Sequence, residues 1–318
     1  MADQEIRGLH HVTLMARNAA RNNWFFTEAL GLRRVKKTVN FDEPSVYHLY
    51  YGTETGAPGT VMTYFPFPHI TRGRKGSGEV GLTAFSVPKG SISFWQRRLA
   101  NYGVTKLARD FLFREERLIF HGPDDEELAL VECDDTRAPW IGSDVPPEVA
   151  IRGFHSVQIR LADPRDTAQL LQLMGYREKE RQRGQSGITR FEIITEKPNG
   201  ADFIDLATDA DGPPAREGAG SVHHIAFAVD DRAAQAALRQ TLIDAGERVT
   251  PVIDRDYFHA IYFRTKGGVL FEIATNEPGF GRDEDLHELG QSLQLPAQHR
   301  HLRASLEQSL PTLETERE

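Results

Sequence analysis

An α+β fold of four βαβββ units, arranged as two tandem domains with curved mixed sheets, is predicted by three observations. Four short segments alternate in the period of a half-buried strand: His11–Leu14, Leu82–Val87, Ser156–Leu161 and His224–Val229. Each leads into a helix-like stretch, as in Arg21–Leu30 and Arg232–Arg239. Each helix closes on a glycine, and Gly31, Gly103, Gly175 and Gly246 lie 72, 72 and 71 residues apart. A left-handed residue at a helix C-terminus is most easily glycine, which has no Cβ to clash. Strand, helix and glycine in one order at one period indicate an internal repeat.

Every unit ends in an apolar strand: Thr60–Phe65, Glu127–Glu132, Asp202–Ala207 and Val269–Ala274. One or two further strands fit between helix and last strand, as in His259–Phe263. A single unit leaves one sheet face it cannot bury, so units are expected to pair and curve around a shared cavity. The Pro- and Gly-punctuated stretch Arg137–Pro147 reads as a linker between two pairs of units, residues 1–138 and 148–280. The remaining 281–318 is expected to be a helical tail of one or two helices, covering a mouth or docking on another subunit.

Composition narrows the partners. The 318 residues carry 38 Lys+Arg against 46 Asp+Glu, a net charge of −8, which argues against nucleic acid or an anionic membrane. No apolar run approaches the ~18 residues of a membrane span, and Met1–Glu5 does not open a signal peptide. The single cysteine, Cys133, cannot form an internal disulfide, so a cytoplasmic location is expected. A homo-oligomer is also expected.

The chemistry concentrates on two tandem histidines, His10-His11 and His223-His224, which open units one and four. Neighbouring strand residues face opposite sides. Ile225, Phe227 and Val229 form an apolar face that His223 shares, whereas His224 goes with the small residues Ala226 and Ala228. Val12 and Leu14 likewise leave His11 and Thr13 on the lumen side. Glu272, between Phe271 and Ile273, presents a carboxylate opposite two large apolar side chains.

In register, the lumen positions are His11, Leu82, Ser156 and His224. The last three precede Glu132, Asp205 and Glu272 by 50, 49 and 48 residues. Unit one has no acid from Thr55 to Gly78. One metal site is therefore predicted, from His11, His224 and Glu272, joining unit one to unit four. His155 shares the parity of Val157, Ile159 and Leu161, so a second site from Glu132, His155 and Asp205 is disfavoured. Two histidines and a carboxylate with open positions form the facial pattern of non-haem Fe(II) oxygenases. Mn(II) and Zn(II) accept the same ligands.

At these residues the sequence resembles the vicinal-oxygen-chelate superfamily of glyoxalases, extradiol dioxygenases and fosfomycin-resistance proteins. Phe26-Thr-Glu-Ala-Leu-Gly-Leu32 is similar to that superfamily's first-helix signature. The chain resembles most closely the hydroquinone-type ring-cleaving dioxygenases. That likeness rests on Leu9-His-His-Val-Thr13, Val222-His-His-Ile225, Asp254–Phe263, Phe271-Glu-Ile-Ala-Thr275 and the tail segment Leu289–Pro296. The resemblance implies Fe(II) on His11, His224 and Glu272, with His10, Thr13, His223, Arg255 and Tyr262 around an aromatic substrate. It implies insertion of O2 into a dihydroxylated ring, with Tyr262, Arg255 or a histidine donating protons.

Arg255 also fits a surface cation beside Asp254 and Asp256, and Tyr262 a core tyrosine on the face of Phe258 and Ala260. His259 is a further candidate substrate contact. Phe65, Phe258 and Phe280 are candidates for an aromatic wall. Two alternatives stand beside this reading. One is a glyoxalase-like isomerase or thiol transferase, which usually has a carboxylate from each paired unit. The other is a metal-free protein that sequesters aromatic ligands.

Overall fold

The computed structural model of the chain describes residues 6–182 and 187–314. Unit one runs β1 (Leu9–Ala16), α1 (Ala19–Trp24, continued by one π-helical turn to Ala29), β2 (Arg33–Val39), β3 (Tyr47–Gly52) and β4 (Val61–Pro66). Unit two runs β5 (Glu79–Val87), α2 (Ile92–Asn101), β6 (Leu107–Leu112), β7 (Glu115–His121) and β8 (Glu127–Glu132). Unit three runs β9 (Gly153–Leu161), α3 (Arg165–Leu173), β10 (Tyr176–Gln182), β11 (Ile188–Ile193) and β12 (Phe203–Thr208). Unit four runs β13 (Val222–Val229), α4 (Arg232–Asp244), β14 (Ile253–Asp254), β15 (Phe258–Arg264) and β16 (Leu270–Pro278).

All four units thus have the predicted βαβββ order. The four glycines that close the helices have φ of 65°, 79°, 93° and 91°, the left-handed region where a Cβ is costly.

The units join in two curled eight-stranded sheets, each combining one unit from either side of the 139–147 linker. The first has the order β14-β15-β16-β13-β1-β4-β3-β2 and unites units four and one. The second has the order β10-β11-β12-β9-β5-β8-β7-β6 and unites units three and two. At the centre of each sheet the two units meet antiparallel, β1 on β13 and β5 on β9. Within each unit the first and last strands are parallel neighbours.

Alternation sorts the side chains as expected. Val12, Leu14, Ile225, Phe227 and Val229 enter the continuous core behind the sheets, while Ala226, Ala260 and Ala274 face the concave side of the first sheet with Tyr50 and Phe258. The core spans both sheets, with Phe25 packed on Phe120 and Tyr176 on Phe227.

The tail, expected to form one or two helices, is helical only in part. It holds 3-10 turns at Phe280–Arg282 and Ala297–Leu302 and one short helix, α5 (Arg303–Ser309), and Asp283–Pro296 is not helical. Tertiary contacts hold it in place of helix formation. Leu293 bridges to Lys37 on β2, and the fully buried Lys36 ammonium reaches the Phe280 carbonyl (3.1 Å), Asp283 (2.7 Å) and Glu284. No helix among the described residues is long and apolar enough to cross a membrane.

Candidate metal centre

His11, His224 and Glu272 converge on the concave face of the first sheet, the one such group of His, Cys, Asp and Glu side chains among the described residues. β1, β13 and β16 are adjacent strands, so residues 213 positions apart in the chain become neighbours. The two Nε2 atoms lie 3.1 Å apart. Oε2 of Glu272 lies 2.9 Å from Nε2 of His224 and 3.5 Å from Nε2 of His11. Ligands about 2.1 Å from one ion are separated by about 3.0 Å at right angles and about 3.4 Å in a tetrahedron. The spacing therefore matches a cation between them.

The chemistry of the donor set points the same way. Glu272 is fully buried, and neither of its oxygens has an aligned hydrogen-bond donor. Burial alone would raise its carboxyl, and positive charge at the His11 and His224 rings lowers it well below the usual range; with those rings neutral, a cation between them is what supplies that charge. An ionised, buried carboxylate without a donor is stabilised by a metal ion.

The tandem partners occupy the far sides of the ligand rings. Nδ1 of His10 lies 2.9 Å from Nδ1 of His11, and Nδ1 of His223 lies 2.7 Å from Nδ1 of His224. Burial, followed by the neighbouring imidazole, lowers His10 to about 3 and His223 to about 4, so both are neutral acceptors near pH 7. With the proton of each ligand ring on Nδ1, donated to its partner, both Nε2 lone pairs are left for a cation.

Simple alternation puts His10 and His223 on the helix side, and the structure corrects this. His10 packs against the lumen residue Phe258 (5.3 Å between rings), as His11 does (5.0 Å), and His223 lines the cavity. The cause is a register shift on each strand: Leu9 pairs with Phe227 but His11 with Ala226, and Thr13 pairs with His224 but Leu14 with Val222. Each bulge takes up one extra residue, His10 or His223, and re-aims its side chain.

A cavity of about 350 Å³ opens from the triad. Phe65 and Phe258 line it, whereas Phe280 lies behind Tyr50 at 5.1 Å between rings. Tyr262, opposite Glu272 across β15–β16, accepts a hydrogen bond from Nε of Arg255 at 3.2 Å. Arg255 is held at the mouth over Phe41 and Tyr262, 3.7 Å from Asp42. Burial, followed by Glu272, pushes the Tyr262 hydroxyl well up, so it stays protonated.

Two other candidates do not reach the cavity wall. Thr13 is fully buried, with its hydroxyl 2.8 Å from that of Thr63. His259 turns away because Phe258 takes the lumen side. Its Nε2 lies 4.0 Å from Asp254, and its carbonyl accepts from Gln235 of α4. Sequence reasoning missed His48 and Tyr50, both in the wall. Their spacing on β3 repeats the lumen parity, a signal that was present in the sequence.

The sequence from residue 8 to 273 matches the family model of the Glyoxalase/Bleomycin resistance protein/Dioxygenase superfamily. The chain belongs to that superfamily. MhqO of Bacillus subtilis (strain 168), provisionally named as a ring-cleaving dioxygenase, is 41% identical over 95% of both chains. The chlorohydroquinone/hydroquinone 1,2-dioxygenase of Sphingobium indicum (strain DSM 16413 / UT26) is 34% identical over 93% of both. A crystal structure from B. subtilis subsp. subtilis str. 168, provisionally described as a dioxygenase, superposes with a TM-score of 0.91 at 38% identity, covering 99% of this chain and 100% of that one.

The repeat places equivalent residues at each sheet's concave face, and the copies have diverged. Thr63 pairs with Tyr50 as Glu272 pairs with Tyr262, so unit one carries a hydroxyl where unit four carries its carboxylate. In the second sheet Arg190 stands opposite Asp205, and a bidentate ion pair (2.8 Å twice) fills the place of the metal. Glu115 bonds both Arg190 and His155, while Glu132 accepts from the Ile92 N–H at the start of α2. Arg190 thus supplies the positive charge at Asp205, while the register corrects the expectation for Glu132: Ala129 holds the position equivalent to Glu272, and Glu132, three residues on and opposite Val87, faces the helix side, so Glu132, His155 and Asp205 do not converge as ligands.

Proposed function

We propose that this superfamily member is a ring-cleaving dioxygenase that uses Fe(II) on His11, His224 and Glu272 to insert O2 into a hydroquinone-type ring. The observation that carries the reading is the triad at the base of a cavity walled by Phe65, Phe258, Tyr50 and Tyr262. The named activities of the Sphingobium and Bacillus relatives support it. Thr63 in place of a second carboxylate favours it over a glyoxalase-like isomerase or thiol transferase. The small aromatic substrate and O2 are then the partners, and Mn(II) or Zn(II) are the competing metals.

When bound, the metal supplies Lewis acidity toward a ring hydroxyl and the redox chemistry that activates O2. The chain supplies the rest. His10 and His223 hold the ligand imidazoles in the required tautomer. Phe65 and Phe258 hold the ring and exclude water from it. Tyr262, with its oxygen occupied by Arg255, directs its proton toward the buried centre and serves as the donor.

The test is O2 uptake by anaerobically prepared, Fe(II)-loaded protein offered hydroquinone, catechol and a glutathione hemithioacetal. Consumption with hydroquinone is expected, and His224→Ala should lower it at least 100-fold while leaving the far-UV CD spectrum unchanged. Turnover of the hemithioacetal with no O2 uptake on either diol would overturn the reading.

A further inference from the structure

Opposite Tyr262, the cavity has a second polar wall that the proposed reaction does not use. Nδ1 of His48 lies 2.8 Å from the Tyr50 hydroxyl, and Nε2 lies 2.9 Å from Oγ1 of Thr63. Thr63 in turn meets Oγ1 of Thr13 at 2.8 Å. Four side chains from β1, β3 and β4 thus form one continuous hydrogen-bonded chain that ends at the cavity on Tyr50. The His48 ring is fixed in place, 4.0 Å from the Tyr50 ring and 4.3 Å from the Phe65 ring.

A neutral imidazole has one N–H and one lone pair, so the chain runs in one direction or the other. If Tyr50 donates to Nδ1, its oxygen offers lone pairs to the cavity. If Nδ1–H donates to Tyr50, its hydroxyl proton points into the cavity. Either way Tyr50 keeps one hydrogen-bonding position that no protein group fills among the described residues.

Tyr50 and Tyr262 are matched by the repeat, one opposite Thr63 and the other opposite Glu272. They stand on the unit-one and unit-four halves of the same concave sheet. A ring held between these halves meets one polar wall on the unit-four side, at Tyr262 beside Glu272, and a second on the unit-one side, at Tyr50. An ortho-diol can bring both oxygens to the metal side. A para-diol cannot, and its far oxygen must find another partner.

We propose that Tyr50 is a substrate-contact residue that binds the far hydroxyl of a para-dihydroxylated ring, and that His48 is the positioning residue that fixes the Tyr50 hydroxyl. This rests on the hydroquinone reading above and adds to it a reason for para over ortho selectivity.

The test is a cycle between enzyme and ligand, measured as anaerobic binding to Fe(II)-loaded protein. Hydroquinone is compared with 4-methylphenol, which replaces the far hydroxyl by a methyl group of similar size. Tyr50→Phe should weaken hydroquinone about tenfold and 4-methylphenol less than twofold, the scale of one hydrogen bond. His48→Leu should weaken hydroquinone selectively, and His48→Gln, which keeps a hydrogen-bonding group, should recover most of the loss.

Equal effects of Tyr50→Phe on both ligands, or no effect on either, would overturn the contact. A His48→Leu protein with unchanged hydroquinone selectivity would overturn the positioning role. If the cycle behaves as expected but the wild type consumes no O2 with hydroquinone, the dioxygenase reading fails and the Tyr50 contact stands.

Discussion

A ligand imidazole can rotate and change tautomer unless its far nitrogen is held. His10 and His223 provide this restraint through the Nδ1 contacts at 2.9 and 2.7 Å. Replacing such a partner typically weakens metal binding 10–100-fold. His10→Phe should therefore weaken Fe(II) affinity within about that range, read by anaerobic chelator competition, with His11, His224 and Glu272 all intact. That His11, His224 and Glu272 come together was legible from strand alternation combined with the matched positions of the repeat. Their partners were not, because a bulge is a property of a strand pair, and β1 and β13 are far apart in the chain. His48 was missed for another reason: β3 carries no repeated histidine to draw attention to it.

Among the elements, the β7–β8 turn carries a charge that does not contribute to the metal site. Glu126 is buried, accepting from the Tyr64 hydroxyl (3.0 Å) and the Asp124 N–H (2.8 Å). Burial raises its carboxyl to about 7. Between the ordinary value of 4.5 and about 7 the folded state keeps a proton that the unfolded state has lost, so stability falls as pH rises through this window. Above about 7 the full cost is on the order of 3 kcal/mol.

Glu126→Gln removes that dependence. Urea unfolding at pH 4.5 and pH 8 should show the variant gaining about 3 kcal/mol on the wild type at the higher pH. β2 carries another buried charge, Lys36. Lys36→Met leaves Glu284, itself buried, without its cation, and should destabilise the protein by about 3–5 kcal/mol. Limited proteolysis should then cut the tail near residues 283–296 before the rest. Composition suggested helices for this tail, since local propensity contains no trace of a lysine some 250 residues upstream.

At the scale of the whole molecule, the repeat predicted four units, and the first sheet unites units one and four, as the expected pairing of His11 with His224 and Glu272 required. Residues 139–147 were expected to divide the chain, and each sheet combines strands from before and after them. Residues 1–138 and 148–318 should therefore fail to fold as separate soluble, metal-binding proteins, each lacking half of both sheets. Size-exclusion chromatography and metal analysis of each piece, alone and co-expressed, would check this, and Fe(II) binding is expected only on co-expression. A metal-binding 1–138 fragment would show that unit one needs no unit-four partner.

The antiparallel seam of β1 on β13 also sets a timetable for biosynthesis. At roughly 5–20 residues per second, the 213 residues between His11 and His224 keep β1 waiting on the order of 10–40 s for its partner strand after it leaves the ribosome. Through that interval one edge of β1 is open, and its histidines are exposed to any cation the cell offers. Glu272 appears later still, so His11, His224 and Glu272 can meet only once almost the whole polypeptide has emerged.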